Sequence, residues 1–324
     1  MVTIDLITGF LGSGKTTFIK RYAKYLMDQG LNIGILENDF GAVNVDMLLL
    51  QELMGDKCEL EMIAGGCDRE THRRRFRTKL IAMGMCGYDR VLVEPSGIFD
   101  VDEFFDVLRD DPLDRWYHIG NVIAIVDAML PETLSPQAEY VLASETANAG
   151  RVLVSRTQLA GQQQTAAAVA HLTRALEGCK CSRRFAPEEI ITKDWARLTD
   201  ADLAAIAACG CRQASCEKLH FDEHEAFSSL CFLEQHLTLQ QLQAAADHLF
   251  ADAACGHVLR VKGFAPDPQG TTGWLELNAT AAGRTLEPIP QGQDVLIVIG
   301  EGLDKAAIEA RLKACIINTK TTEW

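Results

Sequence analysis

Two rhythms of apolar and polar positions run along this chain, and the change between them divides it. In the first two hundred residues, short continuous apolar runs stand between longer stretches that carry a single apolar stripe. Residues 2–7 form the first run, a glycine loop from Gly9 to Gly14 follows, and Lys15 to about Gln29 repeats its apolar residues at helical spacing. "LNIGILEN" reads as a second strand ending at Glu37, "CELEMIAGG" as a third, and a charged helix spans about Glu70 to Met83. "YDRVLVEPSG", "GNVIAIVDA" and "RVLVSR" supply three more strands. Apolar strands alternating with helices predict an α/β domain, a parallel sheet covered by helices on both faces.

From about residue 196 to 224 the texture changes. "LTDADLAAIAAC" predicts a helix capped by Thr199 or Asp200, and "GCRQASCEKLHFDEH" is a polar stretch that reads as a linker. Beyond it, strands ("FSSLCFLE", "HVLRVKGFA", "TTGWLELNA", "QDVLIVIG") mix with two helices ("TLQQLQAAADHLFAD", "DKAAIEARLKACI") in the pattern of a small α+β domain. The expected division is therefore a nucleotide-binding domain at residues 1–212, a Cys/His-containing linker at 213–224 and a C-terminal domain at 225–324.

Composition narrows the classes. A chain of 324 residues is long enough for two domains, and 48% apolar with 23% charged residues is ordinary for a soluble globular protein. No apolar run is long enough to cross a bilayer, and the first one lacks a basic flank and enters a glycine loop, so it reads as a buried strand and not a signal peptide. A cytoplasmic protein with no membrane partner is expected. The net charge of −14 argues against nucleic acid as a partner, because phosphate backbones reward basic surfaces. Eleven cysteines in such a chain are reduced thiols or metal ligands before they are disulfides.

The sharpest chemistry lies at the start. Gly9-Phe-Leu-Gly-Ser-Gly-Lys-Thr16 fits the spacing G-x-x-x-x-G-K-[ST], after a strand and before a helix. Gly9, Gly12, Ser13 and Gly14 would turn backbone N–H groups onto phosphates, aided by the start of the helix at Lys15, Thr16 and Thr17. Lys15 would neutralise the β and γ phosphates, and the Thr16 hydroxyl would hold Mg²⁺. Glu94, ending "RVLVE", is the acid that a Mg²⁺ or attacking water needs, and Gly97 could offer its N–H to the γ-phosphate. Lys15 and Glu94 are thus the catalytic candidates.

These residues resemble those of the CobW-like P-loop GTPases, a branch associated with metallochaperones and related to urease and hydrogenase accessory GTPases. "GFLGSGKTT" looks like that branch's phosphate loop. "ENDFGAVNVD", residues 37–46, resembles its first switch, with Glu37, Asn38, Asp39 and Asp46 at switch positions. "EPSG" and "IVDA" resemble segments that follow, and "HEAFSSLCF" and "VLRVKGFA" resemble parts of the family's C-terminal domain. The resemblance implies a GTP hydrolase that binds a transition metal, often zinc, and delivers it to a client metalloprotein. Hydrolysis is expected to be slow without a partner that completes the charge-stabilising set.

Three positions depart from the family. Its G-G-C-x-C-C motif reads Gly65-Gly66-Cys67-Asp68-Arg69-Glu70, leaving one cysteine, which with Glu37, Glu70 or His72 could form only a mixed site. The last glutamate of the switch is Ala42. The base-reading N-K-x-D is Ser155-Arg156-Thr157-Gln158, in which Arg156 could stack on a purine while neutral Gln158 weakens the choice of guanine. GTP is the expected nucleotide and ATP the alternative. A second metal candidate comes from the linker, where Cys209, Cys211, Cys216, His220 and His224 offer soft ligands at short spacing, with Cys179 and Cys181 as contributors. The bland reading is a linker with ordinary thiols. Arg73, Arg74, Arg75 and Arg77 read as a solvated helix face that could meet an acidic client. Three readings follow: a GTP-dependent metallochaperone using Mg²⁺ and carrying zinc or another transition metal, a nucleotide-gated activator without metal cargo that serves a corrinoid or other metalloenzyme, or a binding module that holds nucleotide without turnover. The oligomeric state stays open, a homodimer included.

Overall fold

A computed structural model describes residues 1–39, 49–64, 69–95, 101–214, 216–217, 227–268, 270, 273–281, 283–289 and 292–319. It separates into two units, Met1–His220 and Phe221–Trp324. Residues 213–220 of the expected linker fall within the first unit, and Ala214 and Cys216 pack against one of its cores, as does Cys211 just before them.

The first unit carries β1 (Val2–Thr8), α1 (Lys15–Asp28), β2 (Ile33–Asp39), β3 (Cys58–Ala64), α2 (Arg69–Gly84), β4 (Arg90–Pro95), α3 (Val101–Leu108), α4 (Leu113–Trp116), β5 (Tyr117–Asp127), α5 (Pro136–Ala147), β6 (Arg151–Ser155), α6 (Thr157–Gly178), β7 (Ile190–Ile191) and α7 (Asp200–Ile206). Its seven strands pair in the order β3-β2-β4-β1-β5-β6-β7, all parallel. The short β7 was not expected from the sequence; two residues are too few to leave a periodic signal.

Each strand feeds both faces because its side chains alternate. In β5, Val122, Ala124 and Val126 join Phe76, Phe104 and Leu172 in one core. Ile123 and Ile125 enter the other, with Phe18, Tyr22 and Leu26 of α1 and Leu203 and Ile206 of α7. That double burial is why these strands read as unbroken apolar runs. The chain leaves central β1 towards β2 and β3 on one side and later reaches β5, β6 and β7 on the other, so the carboxyl end of β1 is a topological switch point.

Below that end, the sheet holds a buried polar network. Asp5 is fully buried and pairs with Arg90 at 2.8 Å, while Tyr22 donates its hydroxyl to Asp5 at 2.8 Å. The Asn121 backbone N–H and side-chain amide nitrogen both donate to Asp5, at 2.8 and 3.0 Å, and the Asn121 side-chain Oδ1 accepts from the Gly210 N–H at 2.8 Å. Thr199 caps α7 as expected, accepting from the Asp202 N–H at 3.3 Å.

The second unit pairs five strands in the antiparallel order β11-β10-β9-β12-β8, from β8 (Ser228–Leu233), β9 (His257–Pro266), β10 (Trp274–Thr280), β11 (Gly283–Ile289) and β12 (Val295–Glu301). Helices α8 (Leu239–Ala251) and α9 (Lys305–Thr319) complete a core with Leu242, Val261, Leu277, Val298 and Leu312. Phe264 is buried, as expected of a core aromatic, whereas Trp274 is half-buried. Lys262 and Glu276, also buried, pair at 3.1 Å. This is the smaller α+β domain foreseen from the sequence, with β11 added.

Candidate nucleotide site

The loop from Gly9 to Gly14 leaves the carboxyl end of β1 and enters α1. Gly9 has a φ of 144°, and a Cβ there would lie 2.4 Å from the carbonyl oxygen of Ile125, so no other residue fits. Gly14, with a φ of 104°, turns the chain into α1, whose first residues are Lys15, Thr16 and Thr17. Lys15 is buried and donates to the Gly9 carbonyl at 2.8 Å, folding its ammonium over the loop. Gly12 and Ser13 are buried inside the turn, and the Ser13 hydroxyl has no hydrogen-bond partner among the described residues.

Thr16 donates its hydroxyl to Glu94 at 2.9 Å, both side chains being buried. Glu94 ends β4 beside β2, where Glu37 is its register partner. Residues in register on adjacent strands point to the same face, so two buried carboxylates stand together next to the phosphate loop. Asn38 and Asp39 continue β2. Asp46, Ala42, Cys67 and Gly97 lie outside the described residues, as do His220 and His224.

The base-reading turn follows β6. Ser155 is buried, with its hydroxyl 3.5 Å from the Val126 carbonyl. Arg156 has a φ of 54° and precedes α6. Its guanidinium makes a short ion pair with Asp127 and donates to the Gly12 carbonyl at 2.9 Å. These contacts tie the base turn to the phosphate loop and leave the flat face of Arg156, expected to stack on a purine, outside its hydrogen bonds. Gln158 is exposed in the first turn of α6.

Trp195, which the sequence reading passed over, also belongs to this end. It follows β7, and its ring lies about 3.5 Å from where a Cβ of Gly14 would be, near Ser155. Its edge meets the Phe18 ring at a centroid distance of 5.7 Å. Arg21 of α1 donates to the carbonyls of Trp195 and Leu198, fixing this turn. The one available signal was an aromatic in the polar segment "TKDWAR" just after an apolar pair, where α/β sheets place ligand-contacting loops. Asp127 was quoted in "IVDA" without a role; its place at a strand's carboxyl end was the signal.

The linker thiols do not gather at one point. Cys209 sits in the core on the α1 face, whereas Cys211 and Cys216 pack against the core on the opposite face, beside Cys179 and buried Cys181. Burial pushes the Cys209 thiol up to about 12 and raises Cys211 and Cys216 as well. Cys209, Cys211 and Cys216 as a common metal cluster are corrected on their placement, because Cys209 belongs to one core and the other two pack against another. Among the described residues no group of three His, Cys, Asp or Glu could hold a metal ion. In the basic run, Arg73 and Arg77 face Asp110 at 3.9 and 3.8 Å, while Arg74 and Arg75 are exposed. No described helix is long and apolar enough to cross a membrane.

A parallel sheet with a glycine loop at its switch point, and an acid meeting the first-turn hydroxyl, defines a P-loop NTPase. The chain matches the family model CobW/HypB/UreG, nucleotide-binding domain, over residues 3–182, and the cobalamin synthesis protein cobW C-terminal domain over residues 227–316. It belongs to the CobW/HypB/UreG family. Similar curated proteins are the zinc chaperone YjiA of Escherichia coli K12, 28% identical over 174 residues, and the zinc chaperone YeiR of the same strain, 32% identical over 131 residues. These alignments cover 50% and 40% of this chain, and 52% and 39% of the relatives, so the chain spans about half the length of the curated relatives it matches, or less. The crystal structure of Zn(II)-bound YjiA GTPase from E. coli aligns with 97% of this chain and 98% of its own, at 19% identity and a TM-score of 0.36.

Proposed function

We propose that this chain hydrolyses GTP and couples the hydrolysis to handing a transition metal to a client metalloprotein. The observation that carries the hydrolytic part is the buried contact of Thr16 with Glu94 at 2.9 Å, with Lys15 folded over the Gly9 carbonyl beside it. Thr16 and Glu94 are hard oxygen donors of the kind Mg²⁺ takes, and the neighbouring carboxylate of Glu37 adds to the demand for a cation there. Mg²⁺ bound by Thr16 and Glu94 would supply charge neutralisation across the phosphates. Lys15 neutralises the β and γ oxygens, the loop N–H groups from Gly9 to Gly14 hold the phosphates, and Glu94 orients the water that attacks the γ-phosphorus in line. Gly97 is proposed to donate to the γ-phosphate, and Asn38, Asp39 and Asp46 to form the responding switch.

Lys15→Ala should cut phosphate release by about 10²–10³-fold at saturating Mg²⁺. Release unchanged in that variant would remove the P-loop from the chemistry.

The metal part is supported by relatives named zinc chaperones; Cys67 and Glu37 are the ligands proposed for it on this chain. A zinc titration against an equilibrium competitor, with and without GTP, tests it: binding no tighter than micromolar in both states excludes zinc cargo. A second reading is a nucleotide-gated activator of a metalloenzyme, supported by Arg69 and Glu70 standing in Gly65-Gly66-Cys67-Asp68-Arg69-Glu70 where the family motif carries cysteines. It is the reading left standing if zinc fails while GTP is still hydrolysed.

A further inference from the structure

Two nitrogens of the Arg156 guanidinium are taken up by Asp127 and Gly12, and the Ser155 hydroxyl lies 3.5 Å from the Val126 carbonyl. Trp195, beside the phosphate loop, and Gln158, exposed in the first turn of α6, are two further side chains at this end of the sheet. Trp195 is not a loose surface ring. Arg21 holds its carbonyl, Phe18 meets its edge, and Gly14 lies against its six-membered ring. Its indole N–H is buried and has no acceptor among the described residues. A buried donor of that kind is costly to leave unmade, and indole can only donate. A fixed aromatic wall beside a phosphate loop, with one donor unspent, suits a nucleoside: stacking on a purine is tolerant of which purine it is. Gln158 points the same way. A carboxylate only accepts, and so matches guanine's paired N–H groups and rejects adenine. A carboxamide both donates and accepts, which matches the N–H and ring nitrogen of adenine as well as one guanine N–H.

We propose that Trp195 is the nucleoside-contacting residue of this site and that Gln158 reads the base, so that the site takes ATP as well as GTP. This rests on the reading of the P-loop as a nucleoside triphosphate site, and the experiment separates the two. Equilibrium titrations with Mg²⁺–GTP, Mg²⁺–ATP and Mg²⁺–tripolyphosphate are made on the full chain, on Trp195→Ala, on Trp195→Phe and on Gln158→Asp. The wild-type chain should bind GTP and ATP within about threefold of each other, and tripolyphosphate at least tenfold more weakly. Trp195→Ala should weaken both nucleotides by about tenfold and leave tripolyphosphate unchanged. Gln158→Asp should turn near-equality into a preference for GTP of at least about tenfold.

Should Trp195→Ala not fold, tryptophan emission keeps the inference testable. Nucleotide should change the emission of the wild-type chain, and Trp195→Phe should abolish the change although Trp116, Trp274 and Trp324 remain. A wild-type preference for GTP above about a hundredfold overturns the inference. So does a nucleotide-dependent emission change that survives in Trp195→Phe. Tripolyphosphate bound as tightly as GTP overturns it while leaving the phosphate site intact. No binding of any of the three overturns the underlying reading as well.

Discussion

The carboxyl end of β1 and the network beneath it are built on opposite principles. At the lower site Asp5 is fully buried and receives Arg90, Tyr22 and Asn121, and Asn121 passes the connection to Gly210. At the upper site, the Ser13 hydroxyl and the Trp195 indole N–H are buried without partners among the described residues, and the Lys15 ammonium donates to the Gly9 carbonyl of its own loop. Buried polar groups are ordinarily paired, and those left over cluster where something else is meant to bind. The lower network spends its hydrogen bonds on holding β1, α1, β4 and β5 together; the upper one keeps its own in reserve.

The largest expected effect breaks the lower network. Asp5→Ala strands Arg90, Tyr22 and Asn121 at once and should cost about 3–5 kcal/mol in denaturant unfolding, the usual penalty for removing one partner of a buried pair. A loss below about 1 kcal/mol would mean that the network is ornamental. Next in size is a pH effect from Cys209, which adjoins Gly210. Burial, then the neighbouring Asp5 charge, pushes its thiol from an ordinary 9.0 up to about 12. The unfolded thiol ionises first, so stability is untouched below pH 9 and falls as pH rises from 9 towards 12. By pH 11 the loss should be about 2.7 kcal/mol, at about 1.36 kcal/mol per unit. Cys209→Ala should remove that share of the alkaline slope, read as the difference between the two proteins' unfolding curves at pH 8 and 11. The smallest effect belongs to the upper site. Ser13→Ala deletes a hydroxyl with no partner and should leave stability within about 0.5 kcal/mol of wild type, while nucleotide affinity falls. A loss comparable to that of Asp5→Ala would erase the contrast between the two sites.

Much of the upper site was legible because local sequence dictates it. Gly9 and Gly14 carry backbone angles that few other residues adopt, and Lys15, Thr16 and Glu94 stand at the ends of elements with strong periodicity. The parallel sheet followed from strands apolar on both faces, and Thr199 announced its helix. What stayed hidden depends on distant pairs. Trp195 becomes a site residue only because β7 sets it against Gly14, 181 positions away in sequence. Asp5, inside an apolar strand, gives no local hint that residues 85 and 116 positions on will meet it. The thiols from Cys209 to Cys216 misled for the same reason: short spacing along the chain suggested convergence, yet Cys209 joins one core while Cys211 and Cys216 pack against the other.

The bridge made by Arg156 has a kinetic consequence. One guanidinium holds both the end of β5, through Asp127, and the phosphate loop, through Gly12, so the two walls around a bound nucleotide cannot part independently. For the nucleotide to leave by the base side with the two walls parting, one contact to a partly buried carboxylate and one to a loop carbonyl would have to break. The residence time of nucleotide would then depend partly on a residue that need not touch it. A partner that competes for Asp127 would act as an exchange factor without reaching the phosphates at all.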